Sequence, residues 1–380
     1  MHDVTIVGGS AAGVFTAYLL ARGGRQVRVL ERANGADPSP RTLIVTSRMA
    51  DVLGGLGAKA VVNRIERFEM FANGRVATVR LERPDLVVER STLIREIAEH
   101  AQSAGAEFAF GRQLLGVEPG VRGLRLMIGS DGANVAEERA TRTLVGADGA
   151  FSVVARAAGW PQQPTVPLVQ AIVKLPSDLS PETTRVWFDP GDTRYFYWLV
   201  PESPTRGVLG LIGEDRRRVH DRLERFLERR RLEPLEFQAA RIPIYQRWIP
   251  HHRRLGDGDV YLVGDAAGQV KPTTVGGIVT GFRGAVGVAE TILSGRASRE
   301  LRALRRELTC HLLIRRLLHC FSQADYMRLF DFLNGSTRRL LSAYTRDDVS
   351  TILWRLCLYQ PRFVLLGLRA LVTRDYHRNS

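Results

Sequence analysis

The N-terminal segment constrains the fold most, because it has the spacing of a dinucleotide-binding turn. An apolar strand at residues 4–7 (VTIV) runs into residues 8–13 (GGSAAG) and then into an apolar stretch with helical spacing. Gly8 lets the strand turn sharply and Gly13 lets the helix pack close to the sheet, so a pyrophosphate can sit on the helix N-terminus. Glu31 ends the next apolar strand, where a carboxylate can bind an adenosine ribose. The segment therefore predicts a dinucleotide site.

The middle residue of this glycine pattern is Ser10. Serine is small enough for the backbone to approach a phosphate, and its hydroxyl could donate a hydrogen bond to that phosphate. Two later segments also end an apolar strand with a small-residue turn, LVGADG at 144–149 with Asp148 and YLVGDAAG at 261–268 with Asp265. Because ligands bind at the carboxyl ends of parallel strands, we expect the three turns to meet at one edge of a sheet.

The order of apolar patterns predicts a discontinuous α/β architecture. Residues 65–88 and most of 160–253 alternate apolar and polar side chains, which is typical of antiparallel strands, with one helix at 216–231. A single hairpin is expected at 116–140, turning at 130–132. The domains predicted from these patterns are a nucleotide-binding domain of residues 1–64, 89–159 and 254–297, a substrate domain of residues 65–88 and 160–253, and a C-terminal helical region of residues 298–380.

The charge of the chain leaves two interpretations open. Its 54 lysines and arginines against 40 acidic residues give a formal net charge of +14, yet only three of the basic residues are lysines. One interpretation is an arginine-rich, solvated surface, and the other is attraction to anionic lipid or to an acidic redox partner. No pattern resembles a nucleic-acid-binding module, so no nucleic-acid partner is expected.

Cysteine spacing and hydropathy indicate the compartment. The three cysteines match no metal-binding pattern, which favours free thiols in a reducing compartment and no metal site. The first strand begins at residue 3, which leaves no room for a signal peptide. The apolar stretch 353–372 is broken by Pro361 and by arginines, so it cannot span a bilayer but could lie on one. A cytoplasmic protein is expected, with peripheral association at the inner face of the cell membrane left open.

The three turns in this order resemble the flavin-dependent hydroxylase superfamily, and within it the geranylgeranyl reductases. Residues 264–278 (GDAAGQVKPTTVGGI) are similar to the second FAD motif of that family. Residues 196–201 (FYWLVP) resemble its Tyr-x-Trp-x-Phe-Pro signature, with Phe196 in place of the tyrosine and Val200 in place of the phenylalanine. The resemblance implies an FAD-binding, Rossmann-like domain of the para-hydroxybenzoate hydroxylase type, a mostly antiparallel substrate domain and a C-terminal helical region.

The resemblance also implies which residues bind FAD. Ala12 and Gly13 would face the pyrophosphate and Glu31 the ribose, while Gly277 and Ile278 would offer N–H groups to the flavin ring. For Asp148 a role as the cap of a turn is an equal alternative. The full set of implied FAD-binding residues is Gly8, Ser10, Ala12, Gly13, Glu31, Arg32, Arg41, Arg90, Leu114, Asp148, Asp265, Pro272, Gly276, Gly277 and Ile278.

The activity implied is reduction of carbon–carbon double bonds in a geranylgeranyl-type prenyl chain by hydride transfer from reduced FAD. The candidate proton donors are Tyr195, Tyr197 and an ordered water beside the loop at residues 272–277, and Trp198 is the candidate pocket wall. Alternation along a strand lets either the tyrosines or Phe196 and Trp198 face the cavity. The electrons would come from NAD(P)H or from a reduced, acidic, ferredoxin-like carrier. Two alternatives remain open: an FAD-dependent monooxygenase or halogenase with another apolar or aromatic substrate, and a non-catalytic FAD or prenyl-lipid binding protein.

Overall fold

A computed structural model describes residues 2–36, 40–130, 133–215 and 217–378 of the chain, with side chains at all of these except 133–137 and 371–378. The strands within these residues are β1 (His2–Val7), β2 (Val27–Leu30), β3 (Thr42–Val45), β4 (Val61–Ala72), β5 (Arg75–Glu89), β6 (Glu107–Ala109), β7 (Arg112–Gly120), β8 (Gly123–Ser130), β9 (Ala133–Gly146), β10 (Thr165–Lys174), β11 (Thr183–Trp187), β12 (Tyr197–Pro201), β13 (Arg206–Ile212), β14 (Pro234–Pro243), β15 (His252–Leu255) and β16 (Gly258–Leu262). The helices are α1 (Ala11–Arg22), α2 (Arg48–Leu53), α3 (Arg90–Ser103), α4 (Val153–Ala157), α5 (Val219–Arg230), α6 (Ile278–Ser294), α7 (Arg299–Leu318), α8 (Gln323–Asp331), α9 (Gly335–Ala343), α10 (Val349–Tyr359) and α11 (Arg362–Arg378).

The first sheet has a parallel centre in the order β16-β9-β1-β2-β6. Its apolar strands are buried on both faces, as parallel strands usually are, and helices α1, α3 and α6 pack together against it. Backbone hydrogen bonds join the three strand ends, from Ala147 N–H to Val7 O at 2.8 Å and from Val263 N–H to Gly146 O at 2.9 Å. The expectation that the three turns meet at one edge is confirmed.

The second sheet has the order β14-β10-β13-β12-β11-β4-β5-β3, and its neighbouring strands are antiparallel except for β4 and β11. Helix α5 covers one face through Val219, Leu223, Phe226 and Leu227, which lie in one apolar cluster with the strands. The mostly antiparallel second sheet agrees with the sequence. Strand β3 and the start of β4 also join this sheet, although they lie within residues 1–64, because the 15-residue β5 is long enough to pair with both.

Two local predictions differ from the structure. The segment predicted as one hairpin at 116–140 is a three-stranded antiparallel unit of β7, β8 and β9, with the first turn at residues 121–122. Gly123 has a φ of +138° and allows the close approach of β9, since a Cβ there would lie 2.4 Å from the carbonyl O of Thr141. The turn predicted at 130–132 falls partly outside the described residues. Helix α5 starts at Val219, so the predicted helix at 216–231 is shorter than expected.

The C-terminal region is helical, as the sequence predicts, and helices α7 to α11 follow α6. Helix α7 packs on α6 through Leu301, for which Gly287 leaves space. Helices α8 and α11 bury Tyr326, Phe330 and Leu366 against the second sheet. The region therefore packs on α6 of the first layer and on the second sheet. Within the described part of the chain, no helix combines the length and apolar character needed to cross a bilayer.

Candidate active site

The turn between β1 and α1 requires its glycines. Gly8 has a φ of +103°, and a Cβ there would lie 2.5 Å from the carbonyl O of Ala147. A Cβ on Gly13 would lie 2.1 Å from the carbonyl O of Gly8. Ser10 is the N-cap of α1, since its Oγ accepts the Gly13 N–H at 3.3 Å and donates to the Ala147 carbonyl at 2.9 Å. The Ser10 proton is therefore directed to the protein and not to a phosphate, so the N–H groups of the first turn are left to hold an anion.

Glu31 is fixed beside this turn. Its Oε2 accepts the Gly9 N–H at 2.6 Å and its Oε1 accepts the Ala33 N–H at 2.8 Å. These bonds place a carboxylate at the end of β2, the position where a ribose hydroxyl is bound in dinucleotide sites. Arg32 follows on the exposed surface, whereas the Leu114 side chain is buried in the core beneath the strand ends. Leu114 would thus support the nucleotide end of the site from below.

Two arginines of the implied FAD-binding set, Arg41 and Arg90, interact electrostatically, and the charges of Glu89 and Asp265 also act on Arg90. Burial lowers the pKa of both Arg41 and Arg90, and the charge of Arg90 lowers the pKa of Arg41 further. Arg90 Nε is buried and has no hydrogen-bond partner among the described residues. Glu89 caps α3 by accepting the N–H groups of Ser91 and Thr92, and its Oε1 also accepts the backbone N–H of Arg41 at 3.2 Å. A buried guanidinium Nε–H without a partner, close enough to Asp265 to interact with its charge, suits the phosphate of a dinucleotide, so the residues present fit FAD.

The third strand end contributes Asp265 and the start of α6. A Cβ on Gly277 would lie 3.1 Å from Asp265 Oδ1, so Gly277 leaves room for this carboxyl group. Burial raises the pKa of Asp265 to about 6, although Arg90 opposes the shift. Gly277 is the N-cap of α6 and supplies no side-chain cap. The first N–H groups of α6, beginning at Ile278, therefore face the site with the positive end of the helix dipole.

We expect Asp265→Asn to stabilise the FAD-free protein at neutral pH. Because the pKa of Asp265 is raised on folding, its ionisation removes stability as pH rises from about 4 to 6, by at most about 3 kcal/mol. The stability gain of the variant should be absent at pH 4 and complete by pH 7, as measured by urea unfolding. The exposed Asp178→Asn is the control. A constant difference between wild type and Asp265→Asn across this pH range would contradict the prediction.

The loop at residues 271–276 is a tight and strained turn ahead of α6. Val275 N–H donates to the Lys271 carbonyl at 2.8 Å, and Lys271 N–H donates to the Gly276 carbonyl at 3.1 Å. Val275 has a φ of +55°, which a β-branched residue rarely adopts. Such strain persists only where the surroundings hold the backbone in place.

Four buried polar side chains hold this loop, and we call Lys271, His311, Arg315 and Asp347 the loop clamp. Arg315 is 4% exposed and donates to the carbonyls of Pro272 at 2.9 Å and of Thr273. Lys271 Nζ lies 2.8 Å from Asp347 Oδ1, and Asp347 also accepts from Thr46.

The third contact joins His311 and the loop. His311 Nδ1 lies 2.6 Å from Thr273 Oγ1. Burial lowers the pKa of His311 to about 3, and the charge of Lys271 adds to the shift, so this imidazole is neutral at physiological pH. The sequence places Lys271 within the motif at residues 264–278 but does not identify His311, Arg315 or Asp347 as parts of the clamp. The one available signal was that Lys271 is among only three lysines of the chain.

The aromatic strand β12 presents two different faces. Trp198 and Phe196 lie with Tyr195 in an apolar cluster that includes Val275 of the loop and Val270 just before it. A Cβ on Gly210 would lie 2.0 Å from Trp198 Cζ2, so Gly210 leaves the space that the indole occupies. The structure thus brings Tyr195 and Trp198 to the loop side.

Tyr197 lies on the opposite face of the sheet. Its ring stacks on Phe226 of α5 at 3.9 Å between centroids, and its hydroxyl donates to Asp192 at 2.8 Å. Burial raises the pKa of Tyr197, and the hydrogen bond to Asp192 adds to the shift. The structure therefore does not bring Tyr197 together with the other candidate catalytic residues.

Asp148 shapes a turn. Its Oδ2 accepts the N–H groups of Val153 at 2.7 Å and Val154 at 3.2 Å, and its Oδ1 accepts from the Ser152 hydroxyl. Both oxygens are used at the start of α4, so the capping alternative describes these contacts, and the implied role in FAD binding stays a prediction. Among the described residues, no group of three or more histidine, cysteine and acidic side chains could hold a metal ion.

Comparison with known proteins agrees with this geometry. Residues 1–303 match the family described as FAD binding domain. The chain is 31% identical over 313 residues to digeranylgeranylglycerophospholipid reductase 2 of Methanothermobacter thermautotrophicus, covering 73% of this chain and 74% of that protein. It is 28% identical over 307 residues to geranylgeranyl diphosphate reductase of Rhodobacter capsulatus, covering 77% of this chain and 75% of that protein.

A solved structure shows the same fold. The crystal structure of a geranylgeranyl bacteriochlorophyll reductase-like protein from Thermoplasma acidophilum aligns with a TM-score of 0.79 at 18% identity, covering 97% of this chain and 99% of that one. The architecture implied by the resemblance, with an FAD-binding domain of the para-hydroxybenzoate hydroxylase type and a C-terminal helical region, is confirmed. The chain is an FAD-dependent oxidoreductase and belongs to the geranylgeranyl reductase family.

Proposed function

We propose that the protein reduces carbon–carbon double bonds of a geranylgeranyl-type prenyl chain carried by a lipid or by a diphosphate. The observation that carries the proposal is the apolar cluster in which Phe196 and Trp198 meet Val275 of the loop at residues 271–276 and Val270 just before it. An unactivated double bond needs an apolar wall that aligns it and keeps water away. The two relatives named above support this substrate class, since both names describe reductases of geranylgeranyl compounds.

FAD in its reduced form would supply a hydride to one carbon of the double bond. The turn after β1, Glu31 and Arg90 would hold its nucleotide, and the N–H groups at the start of α6 would stabilise negative charge at its ring. The other alkene carbon must receive a proton. Tyr195 is the tyrosine on the loop side; burial raises its pKa, while the Arg315 guanidinium over its ring opposes that shift and favours release of the proton. We therefore propose Tyr195 as the proton donor and Trp198 as the wall.

The test is anaerobic turnover of the FAD-loaded protein. The protein is reduced with dithionite, NADPH or reduced ferredoxin in parallel, and then mixed with digeranylgeranylglycerophospholipid or geranylgeranyl diphosphate. Mass spectrometry should show a gain of two hydrogen atoms for each bond reduced, and the donor that supports several turnovers identifies the electron source. A hydroxylated or halogenated product on admission of oxygen would instead support the monooxygenase or halogenase alternative. Bound flavin that no donor reduces would support a binding protein without turnover.

Two variants separate the wall from the proton donor. Gly210→Ala forces the Trp198 indole to move, and we expect it to raise KM with FAD still bound. Tyr195→Phe removes the hydroxyl and keeps the ring, so it should lower kcat with little change in KM. Tyr197→Phe is the matched control, because that hydroxyl faces Asp192 on the other side of the sheet. Equal losses in kcat for the two tyrosine variants would contradict the assignment.

We also propose that helices α10 and α11 rest on an anionic bilayer, from which a lipid substrate would enter. Their large exposed apolar side chains are interspersed with the exposed Arg355 and Arg362, which matches the charge of anionic lipid. The apolar set is Trp354, Leu358, Tyr359, Val364, Leu365 and Leu368, exposed by 41% to 70%.

Vesicle sedimentation tests this surface. The protein should pellet with phosphatidylglycerol vesicles at low salt and less with phosphatidylcholine vesicles, since screening weakens the attraction. Trp354→Ser with Leu365→Ser should reduce binding severalfold. Val121→Ser is the control, because Val121 is 95% exposed on the distant turn between β7 and β8. Equal binding of the double variant and wild type would remove α10 and α11 from the proposal.

A further inference from the structure

A cavity of about 370 Å³ lies between the second sheet and the C-terminal helices, within the size range of small-molecule sites. Three arginines line it from three separate elements: Arg194 precedes β12, Arg328 belongs to α8 and Arg369 belongs to α11. One carboxylate, that of Asp325, is also in the lining. Among the side chains that the structure describes, cations therefore outnumber anions around this space.

The positions of these arginines are fixed by the fold. Arg194 Nη1 donates to the His319 carbonyl at 2.9 Å, and its own carbonyl accepts from Arg315 of the loop clamp at 3.1 Å. Arg369 lies between Leu366 and Ala370, which are buried in the apolar cluster of α8 and α11. Arg194 is thus fixed by hydrogen bonds, while Arg328 and Arg369 line the same cavity from partly or fully exposed positions on α8 and α11.

The carboxylate of Asp325 is held by Ser322 and Arg328. Asp325 Oδ2 accepts the N–H of Ser322 at 3.0 Å and its hydroxyl at 2.7 Å, which completes the capping box of α8. Its Oδ1 lies 3.4 Å from Arg328 Nη1. The remaining charge favours an anion, and planar guanidinium groups suit the paired oxygens of a phosphate.

Aromatic rings connect this cavity with the wall of the proposed active site. The Phe196 ring lies 5.9 Å from Trp198 and 6.2 Å from Phe188. Phe188 stacks on Tyr326 at 4.7 Å, and Tyr326 lies 5.4 Å from Phe321, which lines the cavity. This packed row joins the apolar wall around Trp198 at one end to the arginine-lined cavity at the other.

We propose that this cavity binds a phosphate or diphosphate group, and that during turnover this is the head group of the prenyl substrate. The assignment of a prenyl substrate rests on the proposed function. The affinity of the cavity for a phosphate group does not, because it follows from the arginines that line the cavity. Arg194, Arg328 and Arg369 bind the head group, while the loop side holds the double bond. The cavity thereby sets which bond of the chain reaches the flavin.

The test compares prenyl compounds that differ only in the head group, using the FAD-loaded protein. Arg328→Gln with Arg369→Gln should raise the KM and the calorimetric Kd for geranylgeranyl diphosphate by about tenfold per arginine. The KM for geranylgeraniol should not change, since the alcohol lacks the phosphate. Arg122→Gln, on the exposed turn between β7 and β8, is the matched control. Equal losses for the diphosphate and the alcohol would overturn the proposal.

Inorganic pyrophosphate distinguishes a head group from a free phosphate compound. It should compete with geranylgeranyl diphosphate in the wild type and bind more weakly to the double variant. Pyrophosphate binding that depends on the two arginines, with an unchanged KM for geranylgeranyl diphosphate, would overturn the head-group assignment. If no prenyl compound is turned over, the proposed function fails, and calorimetry with geranylgeranyl diphosphate tests the cavity by itself. Binding that is lost in the double variant would support the phosphate site, and binding that is unchanged would overturn it.

Discussion

Gly13→Ala is expected to yield a protein that binds no FAD. The added Cβ would lie 2.1 Å from the carbonyl O of Gly8 and 3.0 Å from the Cβ of Ala147, so α1 must move away from the strand ends. Both contacts involve the elements that form the anion site, and neither can rotate away as a flexible side chain could. We expect a loss of about 2 kcal/mol or more in the free energy of unfolding, together with a colourless purified protein.

A matched substitution separates the local clash from the general effect of removing a glycine. Gly335→Ala adds the same methyl group at the start of α9, where no atom lies within 4 Å of the new Cβ. This control should bind FAD as the wild type does and unfold at an unchanged denaturant midpoint. Full visible absorbance in Gly13→Ala would show that the turn can open without loss of the cofactor, and would contradict the role given to Gly13.

The parts of the site that the sequence predicts are those formed by neighbouring residues. The strand, turn and helix around Gly8 and Gly13 are specified by local spacing, and Glu31 follows from the next strand. Their convergence with the segments ending in Asp148 and Asp265 follows from the rules of parallel sheets. That the residues implied by the family resemblance contact FAD remains a prediction, even where their geometry suits the cofactor.

The parts that the sequence does not predict depend on contacts between distant residues. Alternation along β12 puts Tyr197 and Trp198 on opposite faces of the sheet, but it does not determine which of them faces the loop at residues 271–276. That choice is made by α5, whose Phe226 covers Tyr197. Arg315 is one arginine among many in a helix rich in them, so nothing local distinguishes it. Only the tertiary structure shows that it binds the carbonyl groups of the loop.

The buried pair of Lys271 and Asp347 joins two segments that are far apart in the chain, and its removal is the second large effect that we expect. Both side chains are less than a tenth exposed. Burial raises the pKa of Asp347, but the charge and hydrogen bond of Lys271 outweigh it and the pKa is lowered. The stability that this ionised group contributes is therefore present at neutral pH and is lost as pH falls through the lowered pKa.

Asp347→Leu is expected to lower the free energy of unfolding by about 3 kcal/mol or more, because it leaves the Lys271 ammonium buried without its partner. Lys271→Met with Asp347→Leu should recover most of that loss, since two apolar side chains replace the two charges. A double-mutant cycle measured by urea unfolding of the FAD-loaded protein checks this. The visible spectrum of bound FAD reads out the position of the loop.

The exposed ion pair of Arg75 and Asp331 provides the control for the cycle. Its two side chains are 47% and 48% exposed, so Asp331→Leu should cost less than about 1 kcal/mol. If the losses in the free energy of unfolding from the Lys271 and Asp347 substitutions simply add in the double variant, the pair does not act as a unit. If they couple in stability but the flavin spectrum stays unchanged in Asp347→Leu, the clamp supports the fold without positioning the loop. A spectral change that the double variant reverses would show that the C-terminal region holds the loop in place around the flavin.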